Sequence, residues 1–247
     1  MGKVEKKKPL QFRQILPNMV TSGNLLCGIF SLMMTLNGKY IIAAWLVFFA
    51  VLFDGFDGKV ARMLGGGSQF GLEFDSLADL VSFGVAPAIL LYQVSVRSLN
   101  LFGAAAACFF ALSVALRLAR FNIVHVPGPF QGLPCPAGGL FVASFVIAKL
   151  DSKIPAPVMA LILFAVGGLM ISSIPYANMK KLTKKTADPA KCILLFSMFA
   201  LSFIFLKNSA PLFLFALYII SGLIGFDWGK WILKPENETE EAEEKSN

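Results

Sequence analysis

Residues 54–79, the acidic stretch, read DGFDGKVARMLGGGSQFGLEFDSLAD. It carries five acidic residues, yet it lies between two apolar runs, YIIAAWLVFFAVLF (40–53) and LVSFGVAPAILLY (80–92). Apolar runs of this kind on either side of the turn MLGGGSQF predict two membrane helices joined by a short connection. Carboxylates at the edge of a membrane are costly, so a group of them at this place indicates a function.

The whole chain has the composition of a membrane protein. Of its 247 residues, 56% are hydrophobic and 15% are charged, whereas soluble domains carry about 25% charged residues. The apolar runs are continuous and not alternating, which favours helices over a membrane β-barrel. We therefore predict an all-α polytopic integral membrane protein with about eight transmembrane helices. The predicted helices span residues 18–36, 40–64, 69–93, 98–121, 135–150, 155–178, 190–206 and 211–232.

The basic residues predict how the chain is oriented. Eight spans place both termini on one side, and seventeen of the 22 Lys and Arg residues then fall on that side. By the positive-inside rule this side is the cytoplasm, so both termini and the acidic stretch are predicted to face the cytoplasm from the cell membrane. The net charge of +7 then reflects orientation and not nucleic-acid binding.

Three parts of the chain are predicted from these patterns. Residues 1–17 form a basic cytoplasmic or interfacial segment, and residues 18–233 form the transmembrane domain. Residues 234–247 are strongly acidic and are predicted to be a disordered tail.

Helical geometry brings four of the five acidic residues together. At about 100° per residue, Asp54 and Asp57 share one face of the second helix, and Asp75 and Asp79 share one face of the third. Glu73 points away from that face and is left out of the site. The same two faces also carry the small residues Gly58, Ala61 and Gly71.

Four converging carboxylates repel one another unless cations neutralise them. Hard divalent cations with oxygen ligands do so, and two metals bridged by carboxylates serve phosphoryl chemistry. The small residues leave room for a bulky ligand beside the backbone. A cation transporter that uses the aspartates as an ion site is an alternative, although transporters often show a repeat and a midplane site, and this sequence has no evident repeat.

The spacing of these residues resembles the signature of the CDP-alcohol phosphatidyltransferase family. The matching positions are Asp54, Asp57, Gly58, Ala61, Arg62, Gly71, Asp75 and Asp79. The resemblance implies an enzyme that transfers a phosphatidyl group from a CDP-linked lipid to an alcohol and releases CMP. It also implies two divalent cations, Mg²⁺ or Mn²⁺, and a homodimer.

The resemblance implies a role for each matched residue. Asp54, Asp57 and Asp75 would bind metal. Asp79 would bind the second metal and act as the base toward the acceptor hydroxyl. The residues near the CMP part of the donor would be Gly58, Ala61, Arg62 and Gly71.

The acceptor is predicted from a wider resemblance, to the phosphatidylserine synthase branch of the family. The similar stretches are residues 16–28, 70–88, 116–122, 130–137 and 169–181. They imply L-serine as the acceptor and CDP-diacylglycerol, or a CDP-linked ether lipid, as the donor. Glycerol 3-phosphate or inositol phosphate is the alternative acceptor, but a phosphorylated acceptor would need a more basic pocket than the sequence obviously supplies.

Residues outside the signature complete the predicted site. Thr21 and Asn24 lie about one turn apart on the first helix, at the depth proposed for the nucleotide, and we expect them to contact the donor or the metal-site residues. Arg117 and Arg120 share a face at the cytoplasmic end of the fourth helix. Arginine suits two-point contacts with carboxylate or phosphate, so these two residues and Asn122 are predicted to bind the acceptor or a phosphate.

Overall fold

Helices dominate the part of the chain that the computed structural model describes, namely residues 12–64, 68–123, 130–149, 153–176, 188–226 and 231. The α-helices are α1 (Phe12–Leu36), α2 (Tyr40–Met63), α3 (Gln69–Asp79), α4 (Ala86–Val94), α5 (Leu101–Ile123), α6 (Cys135–Ile147), α7 (Ala156–Ile171), α8 (Pro189–Leu206) and α9 (Ala210–Leu223). A wide π-helical turn, Leu80–Val85, joins α3 to α4, and 3₁₀ turns precede α5 and α9. Two short strands, β1 (Phe130–Gln131) and β2 (Pro175–Tyr176), pair in an antiparallel manner.

The predicted helical, polytopic membrane architecture is confirmed in its coarse form. Within the described residues, five helical stretches are long and apolar enough to cross a membrane, and they are Leu16–Leu36, Tyr40–Val60, Gln69–Val94, Leu101–Ile123 and Ile193–Leu223. The helices Cys135–Ile147 and Ala156–Ile171 are apolar but shorter. Each of the eight predicted helices has a counterpart, while the number of spans and the side of the termini stay predictions.

Helix α7 ends at Ile171, well before the predicted position 178. The chain after it turns back toward the start of α6, where the Leu133 N–H donates to the Leu169 carbonyl over 3.1 Å and the Gly132 N–H donates to the Ile174 carbonyl over 2.9 Å. Pro175 follows directly and disfavours helical backbone at the residue before it. The strand pair β1–β2 therefore replaces the last turns of the predicted helix.

Helix α9 ends at Leu223 and not at the predicted position 232. Gly225 has a φ of +75°, a conformation that favours glycine. The Phe226 N–H donates to the Ser221 carbonyl over 2.9 Å, and the Gly225 N–H donates to the Gly222 carbonyl over 3.1 Å. This pair of hydrogen bonds is the Schellman motif that terminates helices.

Helix α1 begins at Phe12, six residues before the predicted start. The prediction followed the apolar run, and an apolar run marks the part of a helix that suits lipid and not the whole helix. Pro17 lies inside the helix, within its second turn.

The π-helical turn is the centre of the packing. Helix α1 lies so close to it that a Cβ at Gly28 would be 2.9 Å from the Ser82 Cα. Helix α5 packs on its other side, where a Cβ at Gly84 would be 3.2 Å from the Val114 Cβ. Phe83 of this turn is fully buried and lies against α6, where a Cβ at Gly139 would be 2.8 Å from the Phe83 Cα. The last residue of α3, Asp79, is thus held directly beside a turn that other helices pack against closely.

Candidate active site

Three of the predicted carboxylates meet between α2 and α3. One carboxylate oxygen from each of Asp54, Asp57 and Asp75 lies within 4.8 Å of the other two. Asp57 is only 6% exposed, and the other two are half-buried. The i, i+3 spacing on α2 puts Asp54 and Asp57 on one face, and that face meets Asp75 of α3. These three residues form the carboxylate cluster.

Asp79 lies beside the carboxylate cluster and outside its 4.8 Å group. It is 8% exposed, and it interacts electrostatically with all three members of the cluster. Its Oδ1 accepts a hydrogen bond from the Asn24 side-chain amide over 2.9 Å. The fourth predicted carboxylate is therefore in the same interior as the other three, with a partner of its own.

Helix α1 holds one carboxylate from each neighbouring helix. The Thr21 hydroxyl lies 2.9 Å from Asp57 Oδ2, and Asn24, one turn later, binds Asp79. Both residues are buried, Thr21 at 3% and Asn24 at 0% exposure. The Ser82 hydroxyl in turn donates to the Asn24 carbonyl over 2.8 Å. Thr21 and Asn24 are predicted to contact the donor or the metal-site residues. The structure shows contacts with two of the predicted metal ligands, Asp57 and Asp79.

The predicted donor-side residues are placed in part. Gly71 lies where α1 approaches α3, and a Cβ there would be 3.2 Å from the Asn18 Oδ1. Ser68 caps α3 by accepting a hydrogen bond from the Gly71 N–H over 3.0 Å. Gly58 directly follows the buried Asp57 on α2. The side chains of two further donor-side residues lie outside the described part of the structure, and these are Ala61 and Arg62.

The two predicted arginines have different surroundings. Arg117 is 7% exposed, and its Nη1 donates to the Cys135 Sγ at the start of α6 over 3.2 Å. Arg120 donates from Nη1 to the Ile171 carbonyl over 3.1 Å and from Nη2 to the Ser172 carbonyl over 3.3 Å. Arg120 thereby satisfies carbonyl groups that α7 leaves open at its end.

Asn122 lies away from the carboxylate cluster. Its amide donates to the Glu73 carboxylate and to the Ser76 hydroxyl, each over 3.1 Å. Glu73 is exposed and lies on the face of α3 opposite Gly71, where the sequence also placed it. The predicted acceptor group of Arg117, Arg120 and Asn122 is therefore split between the interior, the end of α7 and the outer face of α3.

The carboxylate cluster fits a divalent cation. Its ligand atoms are all carboxylate oxygens, which are the donors that Mg²⁺ and Mn²⁺ prefer. Its members come from two helices that the hydrogen bonds to α1 fix in place, so the carboxylates are gathered in advance. Gathered carboxylates are unfavourable on their own, and a bound cation relieves their repulsion.

Sequence reasoning missed the parts that support the site. The π-helical turn Leu80–Val85 has no periodic signal, because its residues continue an ordinary apolar run. Ser82 and Cys135 support the site through hydrogen bonds with Asn24 and Arg117. The sequence shows that these residues are small and polar, but their partners lie on other helices and depend on how the helices pack.

Comparisons with known proteins agree with the signature. A family model described as CDP-alcohol phosphatidyltransferase matches residues 14–164. A CDP-diacylglycerol–serine O-phosphatidyltransferase of Helicobacter pylori (strain ATCC 700392 / 26695) is 34% identical over 226 residues, which cover 87% of this chain and 92% of that one. An archaetidylserine synthase of Methanothermobacter thermautotrophicus is 38% identical over 177 residues, 70% of this chain and 73% of that one.

A third relative, from Methanocaldococcus jannaschii, is named CDP-diacylglycerol–serine O-phosphatidyltransferase. It is 41% identical over 157 residues, which cover 64% of this chain and 71% of that one. The family match runs from α1 into α7 and includes the four aspartates and both α1 residues that bind them. The chain belongs to the CDP-alcohol phosphatidyltransferase family.

Proposed function

We propose that this protein is a CDP-diacylglycerol–serine O-phosphatidyltransferase. It transfers the phosphatidyl group from a CDP-linked lipid to L-serine and releases CMP. The observation that carries the proposal is the meeting of Asp54, Asp57 and Asp75 within 4.8 Å, with Asp79 beside them. The names of relatives that are 34% to 41% identical support serine as the acceptor.

Asp54, Asp57, Asp75 and Asp79 would hold two divalent cations, Mg²⁺ or Mn²⁺. When bound, such cations neutralise the pyrophosphate of the donor and the charge that develops on the departing CMP. Thr21 and Asn24 keep the Asp57 and Asp79 carboxylates in place before any ligand arrives. The donor's CMP part is proposed to lie along Gly58, Ala61, Arg62 and Gly71.

Asp79 is the proposed general base. It accepts the proton of the serine hydroxyl, and the hydroxyl oxygen attacks the phosphorus that carries the lipid. The bond between this phosphorus and the oxygen of CMP breaks, so CMP leaves with that oxygen. The hydrogen bond from Asn24 fixes one Asp79 oxygen, which leaves the other oxygen to accept the proton.

The proposed setting of this reaction is the cytoplasmic face of the cell membrane. Eight spans with both termini in the cytoplasm agree with the positions of seventeen of the 22 basic residues. In this arrangement residues 1–17 lie at the membrane surface, residues 18–233 form the domain within the lipid, and residues 234–247 form a solvated tail. We further propose a homodimer, with the lipid donor entering from the inner leaflet and serine from the cytoplasm.

The test is CMP release by the purified full-length protein from CDP-diacylglycerol with Mn²⁺ or Mg²⁺. The acceptors are L-serine, glycerol 3-phosphate, inositol phosphate or none, and Asp79→Asn is measured alongside. Serine-dependent release that the variant loses supports the acceptor and the base. Release with a phosphorylated acceptor alone would move the protein to another branch of its family, and no release with any acceptor would refute the proposed reaction.

A further inference from the structure

Tyr176 fastens the chain after α7 to helix α9. Its side chain is 1% exposed, and its hydroxyl donates to the Ile219 carbonyl over 3.4 Å. Its ring packs against the ring of Tyr218, with 5.7 Å between the two centroids. Gly222 lies one turn after Tyr218 and gives the ring its space, because a Cβ there would be 2.5 Å from the Tyr176 Cδ1. A buried ring packed this closely fixes the two segments against each other.

The backbone at Tyr176 also holds the chain that leads into α6. Tyr176 pairs with Phe130 across the two short strands. The Gly132 N–H then donates to the Ile174 carbonyl over 2.9 Å. Gly132 has a φ of +80°, a conformation that favours glycine, and the chain turns there toward Cys135, the first residue of α6. The position of Tyr176 on α9 therefore helps to set where α6 begins.

The start of α6 in turn holds Arg117. The buried Cys135 thiol accepts a hydrogen bond from the Arg117 Nη1 over 3.2 Å, and it lies within electrostatic range of Asp79. Tyr218, which packs against the Tyr176 ring, is also within electrostatic range of Arg117. Two routes thus connect Tyr176 to the buried guanidinium, one through the start of α6 and one through α9.

We propose that Tyr176 is a positioning residue for the transfer reaction, an inference that rests on the proposed function. Packed against Gly222, it fixes the start of α6 and thereby the guanidinium of Arg117. The family match ends at residue 164, so both Tyr176 and α9 lie beyond it. Helix α9 is then a working part of the enzyme and not only a further span in the lipid.

The carboxylates have a separate support. Thr21 and Asn24 of α1 hold the Asp57 and Asp79 carboxylates, and neither contact passes through α6 or α9. A change at Tyr176 should therefore leave the binding of Mn²⁺ and of CDP-diacylglycerol as they are. Its effect should fall on the use of serine, because Arg117 belongs to the residues predicted for the acceptor.

The experiment measures CMP release by the purified full-length protein at varied serine concentrations. Tyr176→Leu removes the ring but stays apolar, and it should lower kcat/KM for serine by about 10- to 100-fold, mainly through KM, as expected for small misplacements. Mn²⁺ binding, and CDP-diacylglycerol binding without serine, should stay at the wild-type values. Tyr176→Phe keeps the ring and loses one long hydrogen bond, so it should behave almost as the wild type.

Gly222→Ala tests the same contact from the side of α9. The added methyl group would meet the Tyr176 ring, so KM for serine should rise in this variant too. In the background of Tyr176→Leu the same substitution should have little further effect, because the ring that it displaces is gone. Gly168→Ala is the matched control, since a Cβ there meets nothing within 4 Å, and it should leave KM unchanged.

Three results would count against the proposal or its basis. A lower melting temperature with an unchanged KM for serine in Tyr176→Leu and Gly222→Ala would make the contact structural only and overturn the inference. Losses of Mn²⁺ binding as large as the losses of activity would also overturn it, because Tyr176 would then support the whole fold. A wild-type protein without serine-dependent CMP release would refute the proposed function, and the inference with it.

Discussion

The carboxylate cluster with Asp79 beside it forms one region of the site, and the arginine-bearing end of α5 forms a second. The two regions differ in how their polar groups are satisfied. In the first region, Thr21 and Asn24 of α1 bind the Asp57 and Asp79 carboxylates through side chains alone. In the second, Arg120 binds the backbone of the segment after α7. Arg117 is buried, and its Nε has no hydrogen-bond partner among the described residues.

The Asp57 and Asp79 carboxylates are held by protein side chains before a ligand binds. The Arg117 guanidinium keeps a donor that a ligand can use. Preorganised carboxylates require no rearrangement when charge must be neutralised, which suits the chemical step. A buried guanidinium that lacks an anion gains most when the right ligand supplies it, which suits selection among ligands. We propose that the first region serves the chemical step and the second serves the binding of the acceptor, and the predictions below test this division.

The largest effect is expected from Asp75→Asn in the carboxylate cluster. The substitution removes one negative charge from a group of three oxygens within 4.8 Å, so cation binding and transfer should both fail. We expect CMP release to drop by about a thousandfold or more. Mn²⁺ binding, measured by electron paramagnetic resonance, should weaken in parallel.

Glu73→Gln is the matched control for that substitution. It removes the same charge from the same helix two residues away, but Glu73 is exposed and binds Asn122 through an oxygen that glutamine retains. Activity close to that of the wild type is expected. A comparable loss in both variants would show that the charge of α3 as a whole, and not the cluster, controls the reaction.

The second largest effect is expected from Thr21→Val and Asn24→Leu on α1. Each variant removes a hydrogen bond that orients a carboxylate, and changes at residues behind a metal ligand cost about 10- to 100-fold in affinity or activity. The Mn²⁺ concentration for half-maximal activity should rise. Thr21→Ser keeps the hydroxyl, so its Mn²⁺ concentration for half-maximal activity should stay close to the wild-type value. Normal metal dependence in Thr21→Val would show that α1 does not position the cluster.

How much of this could be predicted depends on how local each feature is. The helices follow from apolar runs, and the meeting of four aspartates follows from spacing on two consecutive helices. The sequence could not predict that Arg117 and Arg120 bind different partners. Those partners lie at the start of α6 and at the end of α7, far along the chain. The π-helical turn beside Asp79 was missed for the same reason, since it is set by the close approach of other helices.

Gly28→Ala tests whether the position of α1 against the π-helical turn matters to the carboxylate cluster. A Cβ at position 28 would lie 2.9 Å from the Ser82 Cα, so the two backbones must move apart. A loss of about 1–3 kcal/mol in the free energy of unfolding is expected, as for overpacked cores, together with weaker Mn²⁺ binding. Gly168→Ala is the control, because a Cβ there meets nothing within 4 Å, and it should be neutral or slightly stabilising. Unchanged stability in Gly28→Ala would mean that the helices can separate without cost.

The smallest effect is expected from Arg120→Met, and it should fall on stability alone. The substitution removes two hydrogen bonds to the Ile171 and Ser172 carbonyls, which should cost about 1–2 kcal/mol and lower the melting temperature in detergent. The kcat/KM for serine should stay at the wild-type value, because this arginine is already bound to backbone carbonyls. A clear fall in kcat/KM for serine would show that Arg120 serves the acceptor. Arg120 would then have to exchange its carbonyl partners for the acceptor, and the end of α7 would be part of the acceptor pocket and not only its support.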